Sequence, residues 1–169
     1  MASRAAGMPP SSFFRAFSSK EALFSAILEP LIQEYERLAA ELAGKEEEHP
    51  ETAEENERQL ALFLAEHREE AILLLEKSAG SRYEGSRDRI EQQMQAAFGS
   101  YFEKYLGKEP DRELMRILVS MRMQGFLEVW KGDYTMAQQM KLTRNIGAYA
   151  DAGTLGLIKY LKEEKDAHR

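Results

Sequence analysis

The 169-residue chain is predicted to be all-α. Three observations carry that reading. Apolar residues recur at three-to-four spacing through most of the chain. Strand signals are missing: there are no alternating Val/Ile/Thr runs and no Asn-Gly hairpin. Finally, Ser or Thr followed three residues later by Glu opens periodic stretches, and Gly closes them. A content of 43% apolar and 31% charged residues suits a globular chain able to bury a core.

The first element is short. Gly7 offers the positive φ that a sharp turn needs. Pro10 pre-sets the first turn of a helix over 10–16. Phe13 and Phe17, four apart, are expected to face inward, with Ser11, Ser12 and Arg15 outward. A helix of this length is marginal alone and needs neighbours to hold it. Ser18 and Glu21 then form a capping box, starting a helix that is predicted to run to Ala43. Its apolar face includes Leu23, Phe24, Ile27, Leu28, Leu31, Ile32, Tyr35 and Leu38; Pro30 removes one donor and should bend it near Ile27–Leu28.

Gly44 to Pro50, with three consecutive glutamates, reads as a charged loop. Thr52 and Glu55 form a second capping box before a helix over 53–65, and another helix covers 68–79, with a break near His67. Gly80 and Gly85 mark a loop before a helix over 87–106, which Gly107 ends in a left-handed cap. Pro110 suits the first turn of the next helix, which runs to Lys131 and stops at Gly132. The last helix is predicted over 135–162, about 42 Å long at 1.5 Å per residue.

The last two helices stand apart. From Leu114 to Trp130, apolar residues cover nearly every side, so one face packs on its own subunit and another needs a partner. In the final helix Gly147, Ala150, Gly153 and Gly156 make a stripe of small residues beside Ile146, Leu157 and Leu161. Two readings are open: a homodimer through a four-helix bundle, or a contact within one chain. The homodimer is the expectation.

The stretch from Ala6 to Leu23 resembles the second half of the helix-turn-helix unit in tetracycline-repressor (TetR/AcrR-type) transcriptional regulators. Ala6 and Gly7 match the family's turn, with Met8 in place of Val. Phe14 stands where the family has Tyr, and Phe17, Ser19, Lys20, Glu21 and Leu23 match. The departures are Pro9 for the capping Ser, Ser11 for Gly, and Ala16 for a second phosphate-gripping aromatic or His. The resemblance implies a partial DNA-binding domain over 1–28 and an all-helical ligand-binding and dimerisation domain over 29–169. It places DNA contacts at Pro10, Ser11, Ser12, Phe14, Arg15 and Lys20, the last on a phosphate. It also implies a first helix, which would precede Met1; the expectation is that the native chain starts upstream or that this form binds DNA weakly or not at all.

Net charge is −6, yet residues 1–20 hold Arg4, Arg15 and Lys20 and no acid, a basic head on an acidic body. The body carries a Met and aromatic set, Phe63, Met94, Phe98, Tyr101, Phe102, Met121 and Phe126, with Arg122 among it. Such a set is either core or an adaptable apolar pocket whose cation orients a ligand. The resemblance implies the pocket and a small-molecule effector. His49, His67 and His168 lack metal-ligand spacing, and no cofactor fingerprint, Ser-centred elbow or phosphate loop occurs. Glu69-Glu70 and Glu163-Glu164 read as solvated helix faces. The expectation is therefore a non-enzyme without metal or cofactor. Absence of cysteine and of a ~20-residue apolar run points to a cytoplasmic protein without a membrane partner. The function expected is a DNA-binding regulator, a repressor, under effector control. The alternative is a dimeric helical ligand-binding or interaction module with a vestigial head.

Overall fold

The computed structural model describes residues 17–167. Among them lie six α-helices, one 3-10 turn and no strand: α1 (Lys20–Glu48), the turn Pro50–Thr52, α2 (Ala53–Glu66), α3 (Arg68–Glu76), α4 (Ser86–Leu106), α5 (Arg112–Lys131) and α6 (Met136–Ala167). The short helix over 10–16 and the turn at Gly7 lie outside the described residues.

Helix α1 starts one residue later than the expected box would set it. Ser19, not Ser18, is the cap: its backbone is extended and its hydroxyl accepts from the Ala22 amide at 3.1 Å. Glu21 turns away from the cap because Arg82 offers a charged partner. The helix also continues beyond Ala43. Gly44 costs about 1 kcal/mol in a helix interior, but Leu42 is buried and Glu41 pairs with both Arg37 and Lys45. The expected loop over 44–50 is therefore mostly helix, ending at Glu48. Pro30 lies within it, between the buried Leu28 and Leu31.

The second expected capping box does not form. The Thr52 hydroxyl donates to His49 O at 2.8 Å and accepts from Asn56 Nδ2, while Glu55 takes Arg58 and Gln59. A guanidinium outbids a backbone amide for a carboxylate, since charge-assisted pairs are the stronger ones. The break at His67 is where the sequence places it, with the His67 ring 4.6 Å from that of Phe63. Helix α3 stops at Glu76 rather than Ala79, because Ser78 and Ser81 bond into the following loop instead of a helix.

Gly107 caps α4 with φ +66, as expected. Pro110 does not enter α5. Asp111 is the cap, its carboxylate accepting from the Leu114 amide at 2.9 Å, so the proline stays outside. Gly132 ends α5 with a negative φ; a side chain there would collide with the Tyr134 ring. Helix α6 opens with a reciprocal box that the sequence reading missed: the Thr135 amide donates to Gln138 Oε1 at 2.9 Å and the Gln138 amide to Thr135 Oγ1 at 3.3 Å. It also runs past Lys162 to Ala167.

Helix α5 is the axis of the core. Met115, Val119, Met123, Leu127 and Trp130 are buried along one stripe. One end, with its own Phe126, packs on Ala71 and Met94; the other joins Phe102, Leu106 and Ile158. A third cluster, Phe24, Leu28 and Tyr83, ties α1 to the α3–α4 loop. Each fully buried side chain of this size contributes about 1.5–3 kcal/mol. The helix is not buried all round: Ile117 is 43% and Met121 61% exposed within the single chain. No described helix is long and apolar enough to cross a membrane.

Candidate functional site

Of the residues assigned to DNA, Lys20 alone is described; Pro10, Ser11, Ser12, Phe14 and Arg15 lie outside the described residues. Lys20 is the first residue of α1. Its ammonium donates to Ala79 O at 2.6 Å and lies 5.2 Å from the centre of the Phe24 ring. Beside it, the Arg82 amide donates to Glu21 Oε2 at 3.1 Å, and the Arg82 guanidinium pairs with Glu21 and Glu29. The start of α1 is thus bonded to a loop about sixty residues away. Nothing local in the sequence marks Lys20 and Ala79 as partners. The one usable signal is Arg82-Tyr83 between two turn glycines, both of which adopt positive φ.

The residues assigned to a ligand are dispersed. Phe63 is buried at the α2–α3 break, between Tyr35 and His67. Met94 and Phe126 pack on the Leu127–Trp130 cluster, and Phe98 and Phe102 belong to the cluster around Met115. Tyr101 and Met121 are exposed. The Tyr101 phenol is held above its ordinary pKa, first by its hydrogen bond with Tyr105 and then by burial and the nearby Tyr105 and Asp151 charges.

What comes together is Phe98, Arg122 and Phe126. The Arg122 guanidinium lies 5.6 Å and 5.9 Å from the two ring centres. Its side chain is only 18% exposed, and its nearest carboxylates are Glu57 at 3.6 Å and Asp151 at 3.9 Å, both mostly in solvent. Arg122 on α5 therefore bridges α2, α4 and α6. A guanidinium between two rings with loosely held counter-ions can take a planar anion by exchanging a carboxylate.

Of the clefts among the described residues, two of the best formed are lined by no residue of the predicted ligand set. One, of about 410 Å³, lies along α4 and the α4–α5 turn, between Gly99, Ser100, Glu103, Glu109 and Arg112. The other, of about 230 Å³, lies between Glu66, Arg68, Tyr134 and Met136. Among the described residues no group of three or more His, Cys, Asp or Glu is arranged to hold a metal ion.

These features define an all-helical chain with an ion-paired helix start and a half-buried arginine at the junction of four helices. No protein-family model matches the chain, and neither a curated protein nor a solved structure does.

Proposed function

We propose that this chain is a TetR-like DNA-binding transcriptional regulator, a repressor that acts in the cytoplasm as a homodimer under the control of a small-molecule effector. The observation that carries the reading is the order of residues from Ala6 to Leu23, which resembles the end of a DNA-reading unit, with Ser19 capping a long helix that begins at Lys20. In this reading Ser11, Ser12 and Arg15 meet bases and Lys20 a phosphate. Arg122, with Phe98 and Phe126, supports an effector that has an aromatic or apolar body and an anionic group. Exposed Ile117 and Met121 on α5, with Tyr149, Leu155 and Tyr160 on α6, support pairing through the last two helices. The effector acts by binding two states of the dimer unequally, which shifts their populations.

A gel-shift titration of the full chain against the DNA flanking its own gene tests the reading. Saturable, sequence-selective binding that weakens with Arg15→Ala is expected. No binding at low salt by an intact dimer would reject the regulator and leave a helical interaction module.

A further inference from the structure

We propose that the loop between α3 and α4 is a clamp on the first turn of α1, and that the closed clamp occupies the Lys20 ammonium that would otherwise meet a phosphate. The second half rests on the DNA-binding reading; the first does not.

The loop is built to act as one piece. Ser78 Oγ and Ser86 Oγ both donate to Tyr83 O, Ser81 Oγ donates to Ser78 O, and the Gly80 amide donates to Glu84 Oε2. Gly80 and Gly85 bracket it with φ +73 and +75. Its anchor is Tyr83, buried against Phe24 and Leu28 on α1. From that anchor the backbone presents Ala79 O to Lys20 and the Arg82 amide to Glu21. The Arg82 guanidinium closes the clamp on Glu21 and Glu29, in the first and third turns of α1, and lies 5.0 Å from the Tyr83 ring.

The partners differ in how easily they part. The Tyr83 ring is buried against Phe24 and Leu28 and its hydroxyl donates to Ser25 Oγ on α1 at 3.4 Å while accepting from Arg82 at 2.8 Å, so the anchor stays when the Arg82 contacts part. Arg82, Glu21 and Glu29 are about half exposed, so their pairs are weak and salt-sensitive. The clamp can therefore open at Lys20, Glu21 and Arg82 while α1 remains packed at Phe24 and Leu28. Opening frees the side chain to move: one of the three ammonium N–H groups donates to Ala79 O and the head lies 5.2 Å from the centre of the Phe24 ring, so the closed clamp holds it against the loop, and it must leave that position to reach a phosphate ahead of the helix.

Amine acylation read residue by residue in a mass spectrometer tests this on the full chain. Lys108, exposed and without a hydrogen bond or ion pair among the described residues, is the reference. Lys20 is expected to label about threefold to fivefold more slowly than Lys108 at low ionic strength, the factor that a weak ionic latch supplies. The difference should shrink in Arg82→Ala and Glu21→Gln, and as salt rises from about 0.1 M to about 1 M, where screening length falls to about 3 Å. Unchanged helicity by circular dichroism qualifies each variant, and the two variants serve as checks on one another. Equal labelling of Lys20 and Lys108 in the native chain, or slow labelling that survives both substitutions, overturns the clamp. Arg82→Ala should also bind the flanking duplex more tightly at low salt. Fast labelling with unchanged or weaker duplex binding overturns the competition. Expected labelling with no duplex binding by either form upholds the clamp and rejects the DNA reading.

Discussion

Asn56 donates from Nδ2 to the carbonyl oxygen of Leu42 at 3.1 Å, joining α2 to α1 across the turn at Pro50–Thr52. Asn56 is 4% exposed, and its amide also reaches Thr52 Oγ1 at 3.2 Å. Asn56→Ala removes the donor from both acceptors, of which the Leu42 carbonyl contact is buried. The expected loss is about 1–3 kcal/mol of unfolding free energy, read in urea titrations. A change below the error of such titrations would mean that the turn is held by the apolar contacts alone.

Two glycines, one inside α1 and one capping α4, make opposite predictions. A side chain at Gly44 meets nothing within 4 Å, and the residue has ordinary helical geometry in α1, so Gly44→Ala should stabilise by about 0.5–1 kcal/mol. Gly107 sits at φ +66, where a Cβ is strained, so Gly107→Ala should destabilise by about 1–2 kcal/mol. Thermal midpoints of the pair provide the comparison. Two shifts of the same sign would contradict the assignment of α1 through Gly44.

The α6 face tests the homodimer. Tyr149 is 77% exposed, and a side chain at Gly153 or Gly156 meets nothing within 4 Å of the single chain. If a second copy approaches that stripe closely, Gly153→Leu should reduce the mass in sedimentation equilibrium from two chains to one. A native chain that sediments as a monomer, or a dimer indifferent to Gly153→Leu, would show that this face is not the interface.

Glu55 sets a pH window. Its hydrogen bond from Arg58, and next that from Gln59, lower the carboxyl to about 2 from an ordinary 4.5. A carboxyl lowered by folding stabilises the folded chain above its unfolded pKa, and that contribution fades as pH falls through the folded value. The difference in thermal midpoint between the native chain and Glu55→Gln should thus be full above about pH 5 and vanish toward about pH 2. Because the pair is exposed, the difference should be small and should shrink in salt. A difference that grows on acidification would contradict this assignment.

The helical class and several boundaries are legible in local chemistry. Gly107 stops a helix by its own backbone freedom, and the polar break at His67 needs no distant partner. The misplaced boundaries share a cause. Ser18, Thr52 and Pro110 each carry a valid local signal, but Ser19 and Asp111 take the cap positions one residue on, and at Thr52 the box fails because Arg58 takes the Glu55 carboxylate. Gly44 reads as a breaker until the burial of Leu42 and the Glu41 ion pairs are known. The site was less legible because its decisive contacts are distant: Lys20 meets Ala79, and Arg122 meets Glu57 and Asp151. The Met and aromatic periodicity marked core positions at Phe63, Met94, Phe98, Phe102 and Phe126 but not at the exposed Tyr101 and Met121, and could not say that Phe98 and Phe126 would flank the arginine.

The central claim, that the segment ahead of α1 reads DNA, is tested most directly by the salt dependence of duplex binding. The full chain is titrated by fluorescence anisotropy against a labelled duplex from the flank of its own gene and against a scrambled duplex. The account predicts tighter binding to the flank, with log affinity falling linearly in log salt at about 0.9 per phosphate contact, and a slope reduced by about that amount per subunit in Lys20→Gln. Equal affinity for the two duplexes, or a slope that Lys20→Gln leaves unchanged, would contradict it.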